Sequence, residues 1–234
     1  MILPRYVKRE RTSPVLMLYG VYVYLCSNSL RRASKILEPV VERSHEAIRE
    51  WVQRLAPICD RFVVDRRLVR TVFVDETMIR VKGRQRWLWV AYEPARRIFL
   101  GFRISHNQSI LDAHLFLREL RNRYGRKPIW TDEGVWYPEA CRYLRLEHRV
   151  YAVEWKNLIE RMNQALKDRL ENFDDLFPCF KEDCDEGHVR NWVSVFRFFY
   201  NHVRENEGTG RAPLQHDELL EYQRFIRLIM ETLS

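Results

Sequence analysis

The chain has 234 residues, enough for one well-packed domain and a smaller second one. Hydrophobic residues make up 46% and aromatics 13%, which supports a real core and excludes a disordered chain. Lys and Arg number 40 against 32 acids, a net +8 in which Arg predominates, and Arg suits bidentate contacts to phosphate. The five Cys are odd in number and widely spread, unlike a disulfide framework.

The longest apolar run, Val15–Cys26, falls well short of the roughly 20 residues that span a bilayer. It predicts a buried helix, or a helix and a strand, near the N-terminus. With no secretory signal visible, the expectation is a cytoplasmic protein with no membrane partner.

Two short helices follow. Ser29 can cap the first, with Leu30, Ala33, Ile36 and Leu37 on one face, and Pro39 helps to end it. Ser44 can cap the second, whose apolar stripe is Ala47, Ile48, Trp51, Val52 and Leu55. Such a pair reads as a helix-turn-helix, a small all-α DNA-binding domain over residues 1–65. The N-terminal residues of the second helix (Ser44, His45, Glu46, Arg49) then meet base edges, while Arg31, Arg32 and Lys35 hold phosphates. A plain helical hairpin with an Arg-rich solvated face is the alternative.

Strands begin near Val64–Arg70. Arg70–Ile79 is the first, a turn at "KGRQ" follows, and Arg86–Tyr92 is a continuous apolar run that predicts a strand buried on both faces. Arg97–Ile104 alternates with period two. Ser109–Gly125 is a helix with Ser109 as cap and Gly125 as stop. Lys127–Gly134 holds a short strand, Tyr137–Leu144 a short helix with Pro138 in its first turn, and His148–Glu154 a last strand. The helix "WKNLIERMNQALKDRL" (155–170) closes the series. Three antiparallel-type strands followed by alternating helices and strands describe an α/β domain over residues 66–205. That order is the ribonuclease H-like one, a mixed five-stranded sheet with flanking helices. Residues 206–234 read as a C-terminal helical tail.

Three acids stand out within this order. Asp75 interrupts a run of strand formers, where an acid is costly unless paired or bound to metal. Asp132 ends the fourth strand, where ligand groups often sit. Glu160 lies 28 positions later, with Asn157, Gln164 and Lys167 on the same flank of its helix. Leu158, Met162, Ala165 and Leu166 form the stripe expected to face the sheet. In the ribonuclease H-like topology the first and fourth strands are neighbours, so the strand acids can converge and a helix can add a third. Three carboxylates are hard oxygen ligands suited to Mg²⁺ or Mn²⁺, and a pair of such ions serves phosphodiester chemistry. Taken alone, Glu160 reads more simply as an exposed surface acid.

"VDETMIRVKGRQRWLWVAY", "WTDEGVWYPEAC" and "HRVYAVEWKNLIERMNQALKDRL" together resemble the catalytic domain of DDE-type insertion-sequence transposases of the IS-six group. The likeness extends to the upstream helix-turn-helix and to "FRFFYNHV…GTGRAPLQ", roughly residues 27–215. It implies Asp75, Asp132 and Glu160 as catalytic metal ligands, with two Mg²⁺ or Mn²⁺ ions. It also implies Lys167 as the basic residue seven positions after the Glu, and Asn157 as the Asn before it. Lys82, in the turn after the first strand, joins the DNA contacts. The chain departs from the family in its short Asp132–Glu160 gap and in Met78, where the family has an aromatic. Glu154 also lies near the third position, but in a strand rather than on the helix. Glu76 and Glu133 are second choices, because successive strand side chains point to opposite faces.

The implied function is cleavage at the ends of a mobile element and strand transfer into target DNA. The implied partners are terminal inverted repeats, target DNA and further copies of the chain, as a homodimer or larger synaptic assembly. A stand-alone nuclease of this fold and a regulator that kept DNA binding without catalysis are the alternatives. Three further features stay open. Cys179, Cys184 and His188 have a C-x4-C-x3-H spacing that could hold structural zinc with His202 or Cys141 as fourth ligand; buried thiols or a disulfide are the plainer readings. Trp136 and Tyr137 suit either base stacking or core packing. The aromatic helix Val189–Tyr200 and the last amphipathic helix suit core, packing or subunit contacts.

Overall fold

The computed structural model describes residues 12–152, 159, 160, 164, 166, 185–206 and 208–233. These divide into two compact units, one built from residues 63–186 and one from residues 1–62 with 187–234.

The second of these is helical. Helix α1 (Pro14–Ser27) starts where Ser13 Oγ accepts the Leu16 N–H at 3.3 Å and ends at Asn28 in the left-handed region. Its residues Met17, Leu18, Val21, Val23, Tyr24 and Leu25 are all buried. A helix apolar on most of its circumference has to be enclosed, so the run at Val15–Cys26 resolves as one buried helix. Helices α2 (Leu30–Leu37) and α3 (His45–Cys59) are capped as expected: Ser29 Oγ accepts from the Arg32 N–H at 3.2 Å and Ser44 Oγ from the Ala47 N–H at 3.3 Å. Ile48, Trp51, Val52 and Leu55 form the buried stripe of α3. Gly20 admits the close approach of α1, because a Cβ there would stand 3.0 Å from the Trp51 ring and 3.2 Å from Leu37.

Helices α6 (Glu186–His202) and α7 (Glu221–Leu233) complete this unit. Trp192 Nε1 donates to the Tyr24 hydroxyl at 3.0 Å, Asn191 Nδ2 to Gln53 Oε1 at 2.9 Å, and Arg197 meets Asp60 at 3.2 Å. Phe225 of α7 packs on the rings of Tyr22 and Phe198. The division therefore differs from the sequence reading. Residues 187–205, assigned there to the catalytic domain, and the C-terminal tail both pack with the N-terminal helices. The aromatic helix is core.

His202 lies against the rings of Phe62 and Phe198, both 5.3 Å away. Burial, with His216 and Arg197 nearby, lowers its pKa to about 4. In the unfolded chain it titrates near 6.5. The unfolded state therefore binds more protons between those values, and the stability tied to a neutral His202 is present above about pH 6.5 and lost as pH falls toward 4. We expect the helical unit to lose about 1–3 kcal/mol across that window. His202→Phe should flatten the pH dependence measured by urea unfolding; an unchanged slope would refute the assignment.

The sheet unit follows the expected topology. Strands β1 (Val72–Val81), β2 (Arg84–Glu93), β3 (Ile98–Ser105), β4 (Ile129–Thr131) and β5 (His148–Val150) lie in the order β3-β2-β1-β4-β5. β1 pairs β2 and β2 pairs β3 antiparallel, while β4 runs parallel to both β1 and β5. This is the ribonuclease H-like mixed sheet. Lys82 and Gly83 both take left-handed φ (53° and 69°), as a two-residue hairpin turn with the twist of its strands requires. Helices α4 (Ile110–Tyr124) and α5 (Tyr137–Leu144) cover one face. Leu120 reaches Gly101 of β3, and the Tyr124 hydroxyl donates to the Leu100 carbonyl at 2.8 Å. Ser109 caps α4, its Oγ accepting from the Asp112 N–H at 3.2 Å, and Gly125 ends it at φ 81°. Among the described residues, no helix is long and apolar enough to cross a membrane.

Candidate active site

The parallel pairing of β1 with β4 positions the two strand acids. Val72 stands opposite Ile129 and Phe73 opposite Trp130. The same register carried three residues on would set Asp132, the first residue past β4, beside Asp75. Phe73 and Trp130 touch, with ring centroids 5.7 Å apart, so the residues two further along, Asp75 and Asp132, share that face. β5 extends the row. Its register with β4 aligns Tyr151 with Asp132, and the Tyr151 N–H donates to the Thr131 carbonyl at 3.0 Å. The Tyr151 ring stacks near Phe73 at 5.9 Å. Asp132 and Tyr151 are thus the first residues past the ends of β4 and β5, and continuing the registers of the sheet would bring them into one row with Asp75.

The third acid belongs to the same neighbourhood. Residues 159, 160, 164 and 166 are helical; Ile159 and Leu166 are buried, Glu160 and Gln164 exposed. Burial raises the Tyr151 hydroxyl well above the usual phenol range, and the charges of Asp75, Asp132, Glu76 and Glu160 raise it further. One phenol thus feels all three proposed ligands. The expected buried stripe gains Ile159, seven residues before Leu166. Asn157, Lys167, Leu158, Met162, Ala165 and Glu154 lie outside the described residues.

Asp132 is held from behind by its own turn, where its Oδ1 accepts the Gly134 N–H at 3.0 Å. A Cβ at Gly134 would stand 2.9 Å from the Trp136 ring and 3.0 Å from that oxygen, so the turn has no room for a side chain. Thr131 Oγ1, fully buried beside it, lies 2.8 Å from His148 Nε2 and donates to the Asp132 carbonyl at 2.7 Å.

Glu76 points to the other face, as strand alternation requires. It pairs across the ladder with Trp89, accepts a short hydrogen bond from the Tyr137 hydroxyl and accepts one from Gln108 Nε2 at 2.7 Å. Burial raises its pKa to about 7, against the lowering effect of those two donors, and Asp132 and Asp75 push it up further. Tyr137 is fully buried with its ring edge-on to Trp89, so of the two readings of that residue core packing holds. Glu133 is exposed.

Asp75, Asp132 and Glu160 offer hard oxygen donors, which fit Mg²⁺ or Mn²⁺. Among the described residues, no three acidic, histidine or cysteine side chains form a closed set around one ion position. What ties Asp75, Asp132 and Glu160 to one neighbourhood is their common effect on the Tyr151 hydroxyl. Cys179 and Cys184 lie outside the described residues; the His188 carbonyl accepts from Gln53 Nε2 at 3.3 Å in the helical unit, while Cys141 is buried in the sheet unit.

The other candidates are distributed over both units. Arg31, Arg32 and Lys35 are exposed on α2; Ser44 is exposed, and His45 and Arg49 partly so, in the first turns of α3. Arg49 is paired with Glu46 at 2.8 Å. Lys82 is exposed in its hairpin turn. Sequence reasoning passed over Tyr151, Gln108 and the bond from Tyr137 to Glu76. For Tyr151 a signal existed: it follows His148 at the same interval as Asp132 follows Ile129.

Residues 69–179 match the family model of a DDE domain of the IS240 transposase type, a span that includes all three acids. The uncharacterized protein MJ0017 of Methanocaldococcus jannaschii is 28% identical over 198 residues, covering 84% of this chain and 90% of that protein. Among solved structures, the catalytic core domain of BIV integrase is similar at 20% identity and a TM-score of 0.46, covering 62% of this chain and 90% of that one. The HTLV-2 integrase catalytic core domain in complex with magnesium is similar at 16% identity and a TM-score of 0.45, covering 62% of this chain and 93% of that one.

Proposed function

We propose, from the match of residues 69–179 to the DDE domain of IS240-type transposases, that this chain cuts DNA at the ends of a mobile element and joins those ends to target DNA. What supports the reading is the parallel pairing of β1 with β4 just before Asp75 and Asp132, together with the common effect of Asp75, Asp132 and Glu160 on the Tyr151 hydroxyl. Asp75, Asp132 and Glu160 would hold Mg²⁺ or Mn²⁺. A bound pair of such ions activates the attacking oxygen and stabilises the leaving one.

Each step exchanges one P–O bond for another. Water attacks the phosphorus at the element end, and the leaving oxygen becomes a free 3′-hydroxyl. That hydroxyl then attacks a target phosphodiester, whose own 3′-oxygen leaves. Neither step requires a covalent protein–DNA intermediate or an energy-rich cofactor. The side chains keep the carboxylates in place and the site oriented.

The helical unit supplies DNA binding in this reading. Arg31, Arg32 and Lys35 contact phosphates; Ser44, His45 and Arg49 stand where base edges are read. Lys82, Asn157 and Lys167 contact DNA near the acids. Bringing two element ends together requires a homodimer or larger assembly, acting on DNA in the cytoplasm.

The test is purified protein, duplexes carrying the inverted repeats that flank its gene, a target duplex and Mg²⁺. Joined products are expected. Products that are only cut would make the chain a nuclease, and repeat binding without cleavage in Mg²⁺ or Mn²⁺ would make it a regulator.

A further inference from the structure

We propose that Glu76, held by Tyr137 and Gln108, is a positioning residue that clamps the two acid-bearing strands together from the face opposite the carboxylates. The inference rests on the reading of Asp75 and Asp132 as metal ligands.

Three segments meet at Glu76. It follows Asp75 directly in β1, so any shift of its backbone moves Asp75. Tyr137 opens α5, which begins directly after the Asp132 turn. Gln108 lies in the segment that leads from β3 into α4. The two Glu76 oxygens are divided between them: Oε2 accepts from the Tyr137 hydroxyl and Oε1 from Gln108 Nε2. β1 and β4 need such a brace. Their ladder pairs only Val72 with Ile129 and Phe73 with Trp130, and so stops short of both acids. Past that point the Glu76–Tyr137 bond is a direct tie between the Asp75 strand and the element that follows Asp132.

The surroundings make the tie stiff. Tyr137 has no solvent exposure, and its ring packs edge-on to Trp89 at 5.9 Å, the residue opposite Glu76 in the ladder. Trp136 packs against both Trp89 and Gly134, within the turn that fixes Asp132 Oδ1. A tyrosine in a rigid aromatic setting donates in a defined direction, so the bond transmits position rather than merely filling space. Groups that orient a metal's ligands typically change metal affinity or activity about 10–100-fold when removed.

The test measures Mn²⁺ binding to the full chain by calorimetry, beside cleavage rate and thermal midpoint. Tyr137→Phe keeps the ring and removes the donor; its Mn²⁺ half-saturation should rise about ten-fold with the thermal midpoint nearly unchanged. Glu76→Gln keeps an acceptor for Tyr137, and Gln108 can turn its amide to offer the complementary oxygen, so near-native Mn²⁺ binding is expected. Glu76→Leu should bind as weakly as Tyr137→Phe or worse, and if it fails to fold the other two variants still decide. Native binding by Tyr137→Phe would overturn the proposal. So would a Glu76→Gln as defective as Asp75→Asn, because Glu76 would then itself be a ligand. Asp75→Asn and Asp132→Asn are the controls: if neither weakens Mn²⁺ binding, the ligand reading fails; if both do while Tyr137→Phe does not, only the clamp fails.

Discussion

Asp75→Asn and Asp132→Asn are expected to lower the rates of cleavage and joining about 10³-fold or more, with repeat binding and folding retained. The reasoning is electrostatic. Asn keeps the shape of Asp but removes a charged oxygen from a site that must gather cations beside a charged phosphodiester. A loss of several kcal/mol of transition-state stabilisation, at about 1.4 kcal/mol per tenfold, gives that range. Glu160→Gln should behave in the same way, because its charge reaches the same Tyr151 hydroxyl as the strand acids. Glu133→Gln is the matched control: it is next to Asp132 but exposed, and should stay within a few-fold of the native rate. Single-turnover cleavage of a labelled repeat duplex separates these outcomes. A strand-acid variant that retained a tenth of native activity would refute the assignment.

Arg224→Ala is expected to destabilise the helical unit by about 3–5 kcal/mol. The guanidinium is almost fully buried and satisfies three acceptors from two segments. It donates to Asp217 Oδ1 at 2.9 Å, to the Val203 carbonyl at 3.1 Å and to the Leu219 carbonyl at 2.5 Å. Alanine would leave those acceptors facing a void, and unsatisfied buried acceptors are costly. By contrast Arg227→Ala, which breaks a half-exposed pair with Glu231, should leave the unfolding midpoint nearly unchanged. Urea unfolding followed by the fluorescence of Trp51 and Trp192 reports on this unit. A cost below about 1 kcal/mol for Arg224→Ala would show that the last segment is an appendage rather than part of the core.

Local physics was legible in the chain. Ser29, Ser44 and Ser109 could be read as caps because a hydroxyl one position before a helical pattern has one evident use, and all three accept from the expected N–H. The apolar runs of β1 to β3 and the ends of α5 were equally plain. Asp75 was conspicuous because an acid among Val and Phe needs a reason. What depends on partners distant in sequence was not legible. The aromatic face of α6 announces burial but not against what, and its partners Tyr24 and Gln53 lie more than 130 positions away. For Tyr137 the sequence left base stacking and core packing level, because nothing near it hints at Glu76, 61 positions back. Ile159 joined the buried stripe because the orientation of a helix against its sheet is set by packing, not by its own period.

The helical unit is assembled from both ends of the chain, with the whole sheet unit between them in sequence. On the ribosome this imposes an order. The sheet unit is contiguous and can close as soon as residue 186 has emerged. The first three helices cannot: the faces that Trp192 and Phe225 cover stay bare while about 130 to about 165 more residues are made, roughly 7–33 s at ~5–20 residues per second. Until α7 emerges, the nascent protein has a formed acid-bearing sheet but an incomplete helical unit. The helical unit thus waits for residues that are made after the whole of the sheet unit.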